Sequence, residues 1–122
     1  MTVREIKQQL GLFLCWGDEK LEHKVTGGYV GDLLSDVMAN SKAGNVWITM
    51  QTHVNIVAVA VLKELAAIII VNGRHPAEET LKKAAEEKVP ILSSTLSAFD
   101  VAGRLYFLGV GKARADAERI PD

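Results

Sequence analysis

From residue 44 onward the sequence alternates between short runs that are apolar on both faces and longer runs that are apolar on one. NVWITM (45–50) leads into VNIVAVAVLKELA (54–66), AIIIV (67–71) into PAEETLKKAAEEK (76–88), and PILSS (90–94) into SAFDVAGRLYFL (97–108). A strand with no polar face must be covered on both sides, and strands separated by helices are covered that way in βαβ units, which make a parallel sheet. IVAVAVL (56–62) alternates and is β-branched, so it suits a strand as well as a helix. The following Lys63-Glu64-Leu65 and the length of the segment tip it to helix. The helix over 76–88 carries Pro76 in its first turn, Glu78 and Glu79 near its positive end, and Ala77, Leu81, Ala84 and Ala85 on one face. Its Glu78–Lys82 and Glu79–Lys83 spacings each add about 0.2–0.5 kcal/mol if paired.

The first 43 residues are less regular. Thr2-Val-Arg-Glu5 has the form of a capping box and predicts a short helix with Ile6 and Leu10 inward, closed near Gly11. LFLCW (12–16) reads as a short buried strand, GDEKLEHK as a charged connection, and VTGGYVGD as a strand or turn feeding DLLSDVMANS, with Leu33, Leu34, Val37 and Met38 on one helical face. KARADAERIPD (112–122) reads as a frayed charged tail. The expectation is an α/β fold: a single three-layer domain over 1–122, with a mainly parallel sheet flanked by helices.

Composition narrows the function. With 122 residues, 48% of them apolar, one domain can bury a core unaided. The 14 basic and 15 acidic residues leave a net charge of −1, which gives nucleic acid or an anionic membrane no field to follow. No apolar run approaches the roughly 20 residues of a membrane span, and no signal-like segment opens the chain, so a cytoplasmic location is expected. The single Cys15 excludes an intrachain disulfide and a multi-cysteine zinc cluster; in an apolar run with no neighbouring base, it reads as a buried small hydrophobe. His23, His53 and His75 lack metal-type spacing, so no metal is assigned. No cofactor motif, triad or paired carboxylates are recognisable. Gly109-Val-Gly-Lys112 lacks the strand-loop-helix setting of a Walker motif.

The polar residues gather at the strand-to-helix joints, which a parallel sheet brings to one edge. Thr49, Gln51, Thr52, His53 and Asn55 then meet Asn72, Gly73, Arg74 and His75, and also Ser94, Thr95 and Ser97. That edge presents helix N-termini and is where open α/β sheets bind ligands. Taken singly, the same residues are ordinary capping and turn chemistry, with Thr52, Asn55 and Ser97 as good N-caps. Thr26, Gly27, Gly28 and Asp32, in the glycine-rich stretch before a helix, are added to the candidate pocket.

A family resemblance rests on Thr2-Val-Arg-Glu-Ile6, Leu10-Gly-Leu12, Val25-Thr-Gly-Gly-Tyr-Val-Gly-Asp-Leu-Leu-Ser35, Trp47 to Asn55, and Ala66 to Gly73 followed by Pro76. Over nearly its whole length the chain resembles a DRTGG-domain protein, a family similar to the N-terminal domain of HPr kinase/phosphorylase. Of the five letters in that name, Thr26-Gly27-Gly28 are present, preceded here by His23-Lys24-Val25. The resemblance implies an α/β regulatory or ligand-sensing module, found alone or beside CBS pairs and phosphotransacetylases. Stand-alone members accompany iron-hydrogenase genes. The kinase activity of the larger relative belongs to a separate P-loop domain that nothing here resembles. Two readings follow. One is a non-catalytic module binding a small anionic metabolite or nucleotide at the rim. The other is an interaction or scaffold protein acting through an oligomer surface, with redox enzymes of the iron-hydrogenase type as partners. A homo-oligomer, with a dimer favoured, is expected in either case.

Overall fold

The computed structural model describes residues 1–111; the tail read as frayed, 112–122, lies outside the described residues. Thr2 caps α1 (Val3–Leu10) through the full capping box with Glu5, and Gly11 closes the helix in the left-handed region at φ 64°. β1 (Phe13–Trp16) follows, then a 3-10 turn (Asp18–Lys20). From there strands and helices alternate: β2 (Gly27–Val30), α2 (Leu34–Asn40), β3 (Asn45–Thr49), α3 (Asn55–Lys63), β4 (Ala67–Ile70), α4 (Glu78–Glu87), β5 (Ile91–Ser93) and α5 (Ala98–Phe107). The sheet runs β1-β5-β4-β3-β2, with β2 to β5 parallel and β1 antiparallel on β5. The ambiguous segment 56–62 is helical, and Ile56, Val57, Val59 and Ala60 are buried against the sheet.

Successive strand residues point to opposite faces, so the all-apolar strands supply two cores. Val46, Ile48, Ala67, Ile69 and Leu92 pack with Val3, Ile6, Val101 and Leu105 of α1 and α5. Trp47, Ile68, Ile70 and Ile91 pack with Val37, Ile56, Val57 and Ala84 of α2, α3 and α4. The result is three layers, with three helices on one face of the sheet and two on the other. Trp47 is fully buried, and its indole donates to Gly31 O at 2.8 Å.

Several local expectations are corrected. The strand at 12–16 is an edge strand, so Phe13 is 65% exposed and Cys15 only half-buried. In α2 only Val37 is fully covered, with Leu33 as the N-cap and 67% exposed. A seven-residue helix is too short to press four side chains onto one strip. In α4 the buried line is Thr80 and Ala84, while Ala77 is the extended N-cap and Ala85 is exposed. The helix therefore starts two residues after Pro76. Lys83 pairs forward with Glu86 and Glu87, each at 3.5 Å, rather than back to Glu79.

Candidate functional site

Four parallel strands end at one edge: Val30 lies beside Ile48, Thr49 beside Ile70, and Ile70 beside Ser93. The connections that leave this edge are bonded to one another. Asp32, after β2, accepts from Thr49 Oγ1 at 2.7 Å and from Met50 N at 2.8 Å, while Gln51 Nε2 donates to Asp32 O at 2.9 Å. Thr52 O accepts from Ala77 N at 3.2 Å and from Thr80 Oγ1 at 2.6 Å, which ties the start of α4 to the β3–α3 connection. Gly73 N donates to Ser94 O and Asn72 N to Leu96 O, both at 2.9 Å. Asn72 and Gly73 both take positive φ, 60° and 68°, the conformation that Asn-Gly turns supply at least cost. Arg74, exposed, leans its Nη1 to 3.5 Å from Met50 O.

Capping explains part of this rim. Ser97 does cap α5, accepting from Asp100 N at 3.1 Å, and Ser94 Oγ takes Leu96 N at 3.0 Å. Thr52 and Asn55 do not cap α3. Its N-cap is Val54, with no side-chain hydrogen bond, and Asn55 is already its first helical residue. The start of α3 thus presents a helix terminus without a side-chain acceptor, beside exposed His53 and Asn55. α4 also lacks a side-chain cap, but Glu78 and Glu79 occupy its first turn. Their charge already complements that terminus and repels an added anion. His75 and Thr95 are exposed at the outer margin of the rim.

Thr26, Gly27 and Gly28 are not at this rim. Gly27 opens β2 and pairs with Asn45, which opens β3, so a parallel register puts all three at the opposite edge from Asp32. There they line a cleft of about 560 Å³ between β2–β3 and α5. It lies where α5 passes over β2 and β3 and the strand beneath it carries glycine instead of a side chain. Gly28 and Val30 share that face with Val46 and Ile48 by register. Lys42, Asn45 and Tyr106 also line the cleft. None was nominated from the sequence, because they come from three separate elements and make no motif. Thr26 Oγ1 donates to Ala43 O at 2.9 Å, and Asn45 Oδ1 accepts from Lys42 N at 2.9 Å, so the wall at 42–45 is fixed. On the other face, Tyr29 donates its hydroxyl to Asp36, and that bond holds the phenol above its ordinary pKa.

Known proteins give the fold its context. No curated protein matches the sequence. Among solved structures the chain is similar to the CBS and DRTGG domains of the regulatory region of Clostridium perfringens pyrophosphatase, complexed with activator, diadenosine tetraphosphate, at TM-score 0.62 and 11% identity. The similarity covers 85% of this chain and 45% of that one, so this chain spans less than half of its length. The family model of the DRTGG domain matches residues 5–107, from the first helix to the end of α5. A match over that span, on a three-layer fold shared with a solved DRTGG region, means that this chain belongs to the DRTGG-domain family.

Proposed function

We propose that the chain is a non-catalytic regulatory module that binds a small anionic ligand at the strand-to-helix rim, on the start of α3 between His53 and Arg74. The observation that carries this reading is the α3 terminus without a side-chain cap, preceded by a connection whose Met50 carbonyl receives the exposed Arg74 guanidinium at 3.5 Å. A phosphate or carboxylate there would meet the Asn55 N–H, the positive end of the helix and a guanidinium, a set that suits an anion, while Ile56 N and Val57 N already donate to His53 O and Val54 O. Sensing is supported by the bonds that join the connections. A ligand held on 52–55 touches the loop whose Thr52 carbonyl anchors α4, and Arg74 belongs to the loop bonded to the start of the β5–α5 connection. The complexed activator of the clostridial regulatory region, a tetraphosphate dinucleotide, makes nucleotides the first ligands to try. Acid-base chemistry gains no support at this rim. Asp32, the one carboxylate in its loops, accepts from Thr49 and Met50.

The test is a thermal-shift screen of nucleotides, acyl phosphates and sulfate against wild type and Arg74→Ala. A ligand at 100 times its dissociation constant adds about 2.7 kcal/mol, enough to move the melting temperature by several degrees. The reading predicts an anion that stabilises wild type and loses that increment in Arg74→Ala, with the unliganded melting point unchanged. An equal response of the variant, or no response of either, removes the site. The second reading, a scaffold acting through an oligomer surface, is favoured by one observation: α5 exposes Phe99 at 86% and Phe107 at 91%.

A further inference from the structure

The cleft between β2 and α5 is unrelated to the rim and carries its own inference, one that stands whether or not the rim binds an anion. Its size, about 560 Å³, lies within the range of small-molecule sites. Val30, Ile48, Ala102 and Leu105 make its walls apolar, and Tyr106 adds an exposed ring. The floor is the backbone of Gly27 and Gly28, with Gly111 closing one side at φ +77°.

Gly28 is the informative residue. Its φ is not in the left-handed region, and a Cβ built on it would meet Val46 only at 3.8 Å, ordinary van der Waals contact. Neither backbone conformation nor packing requires glycine there. What a side chain at 28 would do is fill the cleft. An edge strand gains from β-branched residues and loses stability with glycine, so the missing side chain keeps space open at a cost to the fold. Lys42 supplies the charge. It lines the cleft, is exposed, and forms no ion pair among the described residues. It also follows α2 directly, so the negative end of that helix accounts for a cation here; that role does not require it to border the cleft.

We propose that this cleft binds a small amphipathic anion: a flat apolar body lying on the Gly27–Gly28 peptides between Val30 and Leu105, with one negatively charged end at Lys42. The flatness follows from the exposed, side-chain-free Gly28 facing the α5 side chains. The single charge follows from the single cation among the lining residues.

Anilinonaphthalene sulfonate has this chemistry, and the neutral N-phenylnaphthylamine has the same rings without the charge. Fluorescence titration of wild type is expected to give saturable binding of both dyes, the neutral dye at one per chain. Lys42→Met should weaken that dye about tenfold, the scale of a lost charge-assisted bond, and leave the neutral dye within about twofold. Gly28→Val and Ala102→Leu fill the cleft from opposite walls, and each should weaken both dyes by about tenfold or more at retained near-ultraviolet circular dichroism. Arg74→Ala should leave the neutral dye unchanged and still bind one sulfonate dye per chain, which separates this site from the rim. Benzoate and phenyl phosphate are the competitors, and displacement by either supports the site while identifying the head group. Retained dye binding in a folded wall variant overturns the proposal. So do more than one sulfonate dye per chain in Arg74→Ala, equal losses of both dyes in Lys42→Met, or failure of both competitors. If both wall variants unfold, amide shifts of wild type on dye addition decide. Perturbation at Gly27, Gly28 and Tyr106 supports the cleft, and perturbation elsewhere contradicts it.

Discussion

Asp32 shows how much of the rim is structure before it is site. Its carboxylate accepts from the hydroxyl of Thr49, which is 1% exposed, and from Met50 N. Asp32→Ala leaves a buried hydroxyl and an amide unpaired, which costs about 1–3 kcal/mol. Asp32→Asn keeps an acceptor and should recover most of that loss in a urea melt. Were Asp32 a ligand-binding residue only, Asp32→Ala would melt like wild type. Tyr29 gives a pH dependence. Its bond to Asp36 raises the folded pKa above the unfolded value of about 10. The stabilisation is therefore complete below about pH 10 and lost as pH rises through the folded value. Tyr29→Phe should abolish this alkaline loss, and a tyrosinate absorbance titration of the two proteins isolates the group. Individual polar roles were only partly legible in the sequence. Ser97 caps as its position suggests. Thr52 and Asn55 do not, because α3 starts one residue earlier than an Asn55 cap requires and the Thr52 carbonyl is drawn to Thr80.

At the level of elements, α3 and α4 both end on non-glycine residues in the left-handed region, Glu64 at φ 54° and Lys88 at φ 58°. That conformation costs an L-residue roughly 1–2 kcal/mol, and Lys88 is exposed. Lys88→Gly should therefore stabilise the protein by about 0.5–1 kcal/mol and raise the melting temperature by a few degrees. A lower melting temperature would show that the Lys88 side chain contributes more than its backbone strain removes. Cys15, in the irregular edge strand β1, is half-buried, so a thiol reagent should label it in native protein more slowly than after denaturation. Equal rates would mean that β1 does not shield it. Long periodic segments were legible as elements, because one face of each packs on the sheet whatever the neighbours do, but in α4 the expected face was shifted: Thr80 is buried where Ala77 and Ala85 are exposed. The short ones, α2 and β1, were overfilled with buried residues. Periodicity shows which side chains share a face but not how much of that face the fold covers.

Over the whole molecule, parallel alternation predicted three layers and one polar edge, and both follow from strands that are apolar on two faces. The cleft was not legible, since its lining comes from β2, the connection before β3, β3 and α5, which no local pattern joins. α5 exposes Phe99, Tyr106 and Phe107. We expect this face to join two copies, so light scattering in the micromolar range should give twice the chain mass, and Phe107→Glu should give one. A wild-type monomer would remove the scaffold reading. The central claim is that the start of α3 and Arg74 hold an anion. It is tested most directly by amide chemical-shift mapping of wild type titrated with adenosine triphosphate and, separately, sulfate. The account predicts saturable shifts centred on 52–55 and Arg74, spreading to Ala77 and Ser94 through the bonds that join the connections. Absence of shifts with both anions, or shifts confined to Thr26–Gly28 and α5, would contradict it.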